Sequence, residues 1–350
     1  MEETERCLEC GCSEYADCSL RIYADEYQVD INNYLGDVNK YKVDNRHPFI
    51  RFDANKCINC GICVRTCSEI LKVAALGFVH RGFKSVVKPA MEKELLHTNC
   101  VACGNCIDAC PTGAIGEKLP FKLMGTLPKE NFETVCNFCS IGCTLNYKKI
   151  DENLFYVSNS TESIKDAPNK GYACVKGRFG YRYMLNGNRL TEAKIKVNGK
   201  QQTVEVEKAI ETASVKIKEI IDKYGNDSVA VFASPKMSNE ELYLLQKFAR
   251  TGLKNNNIES LSNLSSKVEN SALDNMLGMT ISSTSSESIQ TADVIVVMNS
   301  NLSEENLVME LKIKEAQKRG AKLVVINSSE IKLTKFADLW IDNQRVQAQF

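Results

Sequence analysis

No cysteine occurs in the last 176 residues of this 350-residue chain, although sixteen precede them. An excess of either charge is also missing, since 44 Lys and Arg balance 44 Asp and Glu. That balance removes the basic field of a nucleic-acid binder and the acidic tail of a docking arm. Long apolar runs are absent: VIVVM at 294–298 is among the longest, far below the ~20 residues of a membrane helix. The N-terminus, MEETERCLEC, is charged and lacks the apolar core of a secretory signal. Neither GxGxxG nor GxxxxGKS/T accompanies the strands expected in the second half, so nucleotide signals are lacking there. These absences lead to the expectation of a soluble cytoplasmic protein of two or three domains, without nucleic-acid partner or membrane span.

The cysteines fall in four groups of four, with none left over. Disulfide frameworks belong to small secreted domains, whereas tight CxxC spacing in a cytosolic chain points to metal. The first group, Cys7, Cys10, Cys12 and Cys18, is spaced C-x2-C-x-C-x5-C and can converge on one centre. A [4Fe–4S] cluster and a structural zinc knuckle both remain open for it. LRIYADEYQVDINNYL, which follows, has helix-like apolar spacing.

CINCGICVRTC supplies Cys57, Cys60, Cys63 and Cys67, and CVACGNCIDACP supplies Cys100, Cys103, Cys106 and Cys110. Both follow the C-x2-C-x2-C-x3-C run of two-cluster ferredoxins, in which the fourth cysteine serves the other cluster. The expected sets are therefore Cys57, Cys60, Cys63 with Cys110, and Cys100, Cys103, Cys106 with Cys67. Gly61, Gly104 and Gly113 let backbone amides approach the inorganic sulfides, while Ser68 stands where a proline is usual. CNFCSIGC adds Cys136, Cys139 and Cys143, and Cys174 follows after 30 intervening residues in CVKGRFGY. On spacing alone Lys176 is an ordinary surface lysine.

From about residue 190 the pattern becomes α/β. A helix is expected over TVEVEKAIETASVKIKEIIDKYG, a strand over 228–233, and a helix opened by a Ser238–Glu241 capping box. DVIVVMN and KLVVIN read as strands on either side of a helix over EENLVMELKIKEAQKRG, an order that implies a helix-covered parallel sheet. The expected fold class is α+β. Its segments are a Cys-rich 1–46, a two-cluster ferredoxin-like 47–125, a [4Fe–4S] domain at 126–189, and a partial α/β domain at 190–350.

These segments together resemble the molybdopterin oxidoreductase superfamily, specifically cytosolic NAD(P)-linked formate dehydrogenases and the large iron–sulfur subunit of complex I. CSLRIYADEY is similar to the segment after that subunit's N-terminal-side ligands, with CLECGC replacing a His-and-Cys set. DNRHPFIRFDANKCINCGICVRTC and CVACGNCIDACPTGAI look like the family's paired-ferredoxin insert, and CNFCSIGC with CVKGRFGY like its pterin-adjacent cluster. The resemblance implies four [4Fe–4S] clusters and a Lys176 that bridges the last of them to the pterin.

Departures follow. Ser265 and Ser266 stand where formate dehydrogenases carry a metal-binding Cys and its His, and Asn327-Ser328-Ser329 replaces a charged pterin-gripping turn. The chain stops at Phe350, where family members continue. No molybdopterin is therefore expected. The expected role is an electron-relay subunit, with no catalytic residue of its own. The alternatives are a molybdenum- or tungsten-dependent formate dehydrogenase subunit and a structural scaffold with a docking α/β domain. Family fusions imply a glutamate-synthase-like or complex-I-like flavoprotein docking near residues 1–30, with ferredoxin or a hydrogenase as further partners.

Overall fold

The computed structural model describes residues 19–30, 36–37, 39–118, 130–151, 154–158, 167–261, 272–278, 282 and 284–343. The quartet Cys7, Cys10, Cys12 and Cys18, together with Ser265 and Ser266, lies outside the described residues. The chain forms two compact units, one of Met1–Cys136, Ile141–Tyr183 and Ser285–Phe350, the other of Asn137–Ser140 and Met184–Thr284.

In the first unit α1 (Ser19–Glu26) precedes a ferredoxin-like arrangement of two antiparallel pairs. Strand β1 (Ile50–Phe52) pairs with β4 (Ile115–Glu117), and β2 (Leu76–Val79) with β3 (Val86–Pro89). Short helices α2 (Ile62–Arg65) and α3 (Asn105–Asp108) lie inside the two cysteine loops. The strands are too short to bury much alone, so their apolar residues are pooled: Ile50, Leu76, Val87 and Ile115 share one core with Cys63 and Phe179. An antiparallel meander follows, of β5 (Glu130–Val135), β6 (Thr144–Asp151) and β7 (Leu154–Ser158), and then α4 (Val175–Phe179).

The second unit opens with the hairpin β8 (Ala193–Val197) and β9 (Lys200–Val204). Its Asn198-Gly199 turn has both φ angles positive, the geometry whose twist suits a two-residue hairpin. Because β9 takes Thr203 and Val204 into its ladder, the expected amphipathic helix starts later, as α5 (Val206–Tyr224). Strand β10 (Val231–Ala233) also begins later than expected, after a turn over Asn226–Ser228, and pairs in parallel with β11 (Ile258–Ser260). The Ser238–Glu241 capping box opens α6 (Asn239–Lys247) as expected.

Back in the first unit, β12 (Val294–Met298), β13 (Lys322–Ile326) and β14 (Leu339–Ile341) form a parallel sheet. The helix expected between the first two is divided into α7 (Leu302–Glu305) and α8 (Leu307–Lys318). Asn306 leaves helical geometry at φ −153° and its side chain accepts the Met309 N–H, so the second helix starts with its own cap. Ile313 and Ala316 of α8 meet Ile295, Val297, Leu323 and Val325 of the sheet, while Leu307 packs with Cys67, Leu71 and Cys103. Thus α8 has one end in the sheet core and the other against the cysteine loops. Among the described residues no helix is long and apolar enough to cross a membrane.

Candidate iron–sulfur centres

The two ferredoxin-like loops repeat one backbone conformation. Asn59 (φ 55°) and Gly61 (φ 71°) flank Cys60; Ala102 (φ 52°) and Gly104 (φ 73°) flank Cys103. Left-handed residues on both sides of a cysteine fold the chain back sharply, so successive thiols face one space and N–H groups turn inward. The Asn59 N–H donates to Cys57 Sγ at 3.4 Å and the Ala102 N–H to Cys100 Sγ at 3.3 Å. The Ala75 N–H likewise donates to Cys67 Sγ at 3.3 Å. Bonds of this kind favour the thiolate over the thiol.

Cys57, Cys60, Cys63 and Cys110 line one hollow, walled by Phe52 and Val87. The Cys63 thiol lies in the fields of Cys110, Cys57 and Cys60, whereas those of Cys100 and Cys103 lie in the field of Cys67. Cys106 senses Cys103, Cys100 and Cys67 and, more weakly, Cys63, so the two groups are neighbours. The fourth cysteine of each run is therefore found with the first three of the other. Burial, reinforced by the neighbouring sulfurs, pushes the Cys63 thiol up to about 12. Burial likewise pushes Cys103 up to about 11 and Cys106 well above the ordinary thiol range. Thiols packed like this stay protonated unless a cation takes up their charge, and a coordinated metal does so outright. Soft thiolate donors, inward N–H groups and a shared hollow fit an iron–sulfur cluster.

The last quartet is built differently. Strands β5 and β6 bring Cys136 and Cys143 side by side, with the Cys136 N–H donating to the Cys143 carbonyl at 2.8 Å. Cys174 is the N-cap of α4. A methyl group at Gly177 would lie 3.6 Å from Cys136 Sγ and 3.3 Å from Leu145, so glycine there lets α4 close on Cys136. Cys139 belongs to the 137–140 loop, which groups with the second unit. Lys176 is exposed while Gly177, Arg178 and Phe179 are buried.

Asn169, only 1% exposed, holds this arrangement, and nothing in the sequence NKGYACVKG marks it. Its amide donates to the carbonyls of Thr144 (3.2 Å) and Tyr172 (2.7 Å) and accepts the Thr144 N–H (3.0 Å). It thereby clips the residue after Cys143 to the loop that delivers Cys174. Asn169→Ala leaves three half-buried main-chain groups without this partner, a cost of about 1–3 kcal/mol. The expected result is a lower unfolding midpoint and loss of about four irons per chain, as one [4Fe–4S] cluster would carry. Wild-type iron content and midpoint would show the clip to be dispensable.

Three family models match the chain in tandem: the ferredoxin-like domain of NADH-quinone oxidoreductase subunit 3 at 47–116, the molybdopterin oxidoreductase Fe4S4 domain at 130–186, and molybdopterin oxidoreductase at 189–348. The chain belongs to the molybdopterin oxidoreductase superfamily. It is 33% identical over 339 residues to the NADPH-Fe(3+) oxidoreductase subunit alpha of Geobacter sulfurreducens, covering 95% of this chain and 38% of that protein. It is 27% identical to the "Probable oxidoreductase YjgC" of Bacillus subtilis, over 93% of this chain and 36% of that one. The chain thus spans little more than a third of the length of these relatives. Acetylene hydratase from Pelobacter acetylenicus shares the fold over 60% of this chain and 29% of its own, with a TM-score of 0.52 at 22% identity.

Two further features of this superfamily member rest on contacts that spacing does not reveal. At Asn327-Ser328-Ser329, just past β13, the Asn327 side chain accepts the Ser329 N–H at 3.2 Å, and its carbonyl accepts the Trp340 indole N–H at 3.1 Å. This neutral turn is closed by the Asn327 side chain and by Trp340 of β14. Lys332 reaches the ferredoxin-like loops, its Nζ donating to the carbonyls of Asn99 (3.1 Å) and Cys100 (2.9 Å).

Proposed function

We propose that the chain is the iron–sulfur electron-transfer subunit of a multi-subunit, cytoplasmic, flavin-linked oxidoreductase, relaying single electrons through four [4Fe–4S] clusters. The ligand sets are Cys7, Cys10, Cys12, Cys18; Cys57, Cys60, Cys63, Cys110; Cys67, Cys100, Cys103, Cys106; and Cys136, Cys139, Cys143, Cys174. The observation that carries the reading is the grouping of Cys110 with Cys57, Cys60 and Cys63 around one hollow, and of Cys67 with Cys100 and Cys103 in the neighbouring core. A lone structural metal has no use for such a pair, whereas one-electron transfer requires closely spaced centres.

When bound, the clusters supply one-electron chemistry over a wide range of potentials. The chain's own residues do the rest. Val87 and Leu71 keep water from the loops, N–H groups on Cys57, Cys67 and Cys100 stabilise the thiolates, and left-handed turns fix the spacing. The partners on this reading are a glutamate-synthase-like or complex-I-like flavoprotein that splits the hydride of NAD(P)H, and a ferredoxin, hydrogenase or other redox protein at the far end. The name of the Geobacter relative favours NADPH as the primary donor. Ser265-Ser266 and the neutral turn at Asn327 support a chain that binds no molybdopterin, with Lys176 left without that bridging task.

Metal analysis of anaerobically purified protein tests this. About sixteen irons per chain are expected, four for each quartet, with neither molybdenum nor tungsten and no formate-dependent dye reduction. About twelve irons with one zinc would reassign the Cys7–Cys18 site as a zinc knuckle. Stoichiometric molybdenum or tungsten with formate turnover would replace the relay by a formate dehydrogenase.

A further inference from the structure

We infer that Arg178 is a positioning and tuning residue for the relay: it pins the Cys174 ligand segment onto the Cys106 loop and sets the potential of the Cys67, Cys100, Cys103, Cys106 centre. This rests on the ligand assignments proposed above, but on none of the proposed partners.

Arg178 is 1% exposed, and its two terminal nitrogens clasp the Asp108 carboxylate at 2.5 and 2.8 Å. Asp108 lies on α3 between Cys106 and Cys110. The stem of Arg178 crosses the backbone of Gly104: a methyl group there would lie 2.8 Å from Arg178 Cγ and 3.3 Å from its Nε. That Nε is buried and has no hydrogen-bond partner among the described residues. On the other side, the Arg178 N–H donates to the Cys174 carbonyl at 2.9 Å, so both residues belong to one turn of chain. A second clasp stands five residues before Arg178. Asn105 Nδ2 donates to the Ala173 carbonyl and its Oδ1 accepts the Ala173 N–H, both at 3.2 Å. Residues 173 and 178 straddle Cys174, and residues 105 and 108 straddle Cys106. The two ligand segments are thereby fixed against each other at both ends.

Packing alone does not call for an arginine here. A buried ion pair adds little to stability compared with well-packed apolar residues of similar volume. What apolar residues lack is a fixed positive charge and an unused N–H beside the ligand loop. A positive charge near a cluster favours the reduced, more negative form, and second-sphere groups of this kind tune metal sites. Arg178 also senses Cys106 electrostatically. Asp108 partly offsets the guanidinium, so the two members of the pair act on the centre with opposite sign.

The test is an EPR-monitored redox titration of the whole chain with dithionite and mediators, accompanied by iron analysis. Arg178→Gln removes the positive charge beside the ligand loop and should lower the midpoint potential of the Cys67, Cys100, Cys103, Cys106 centre. Asp108→Asn removes the carboxylate that clasps the guanidinium, leaving the more weakly acting Glu117, and should raise it. Arg178→Lys, which keeps the charge but not the two-pronged grip, should hold the potential near wild type while weakening the magnetic interaction with the Cys174 centre. Shifts of opposite sign in the first two variants are beyond a merely structural role. Unchanged potentials, or shifts of the same sign, would overturn the inference. If Arg178→Gln fails to retain iron, Asp108→Asn and Arg178→Lys decide, and equal loss of iron from both would mark the pair as structural only. Chemical reductant needs no partner protein, so a wrong partner assignment would leave this result intact.

Discussion

Cys67→Ala should abolish the centre that contains Cys100, Cys103 and Cys106, and leave the Cys57, Cys60 and Cys63 signals in place. Cys67 stands at the end of the run CINCGICVRTC, yet a turn over Thr66–Ile70 carries it away from its sequence neighbours. There it packs with Leu71, Val73, Cys103 and Leu307, and its sulfur accepts the Ala75 N–H. Alanine removes one of four thiolates from a buried site whose other three thiols resist ionisation without metal. The expected iron content falls by about four per chain, with one EPR species lost. Cys110→Ala should give the complementary result, losing the Cys57, Cys60, Cys63 species. Loss confined to the mutated run in both variants would contradict the exchange of fourth cysteines.

A second large effect is expected from Gly104→Ala, with Gly61→Ala as its internal control. Both glycines are left-handed, at φ 73° and 71°, so each substitution carries the same backbone penalty of about 1–2 kcal/mol. Their surroundings differ. A methyl group at Gly104 would meet Arg178 at 2.8 Å and Phe179 at 3.0 Å, both buried and held in place. At Gly61 the nearest atoms are 3.2 Å away, at the end of Arg65 and on the exposed ring of Phe78, which can move aside. Overpacking adds about 1–3 kcal/mol at Gly104 alone. The total there is about 2–5 kcal/mol, and denaturant titration of the two anaerobic proteins should separate them by the steric part. Equal destabilisation would show that α4 is not seated on Gly104.

Much of this was legible because iron–sulfur sites write themselves into sequence as spacing. The doubled run led to the expectation that Cys110 joins Cys57, Cys60 and Cys63, which line one hollow, and the α/β alternation to the parallel pairing of β12 and β13. The capping box at Ser238 worked because its hydrogen bonds are local. What stayed hidden was long-range. Asn169, Arg178 and Lys332 act on residues 25, 70 and 232 positions away, and a lone Asn, Arg or Lys in a polar stretch reads as surface. The errors were at element edges. Thr203 and Val204 suit strand or helix and were settled by pairing with Lys194 and Ala193. Asn306 divided α7 from α8 because its side chain competes for the helix N–H groups.

Lys332 gives the molecule a timetable. A ribosome makes residue 100 long before residue 332, and at about 5–20 residues per second the interval is roughly ten to fifty seconds. For that time the carbonyls of Asn99 and Cys100 have no lysine to hold them, and Leu307 has not arrived to cover Cys67 and Cys103. The loops around Cys67, Cys100 and Cys103 are therefore made well before the residues that close over them. The Cys57–Cys63 loop, whose surrounding core is drawn from residues before 180, is complete first. Synthesis order alone thus places the surroundings of Cys57–Cys63 before the residues that cover Cys67 and Cys103.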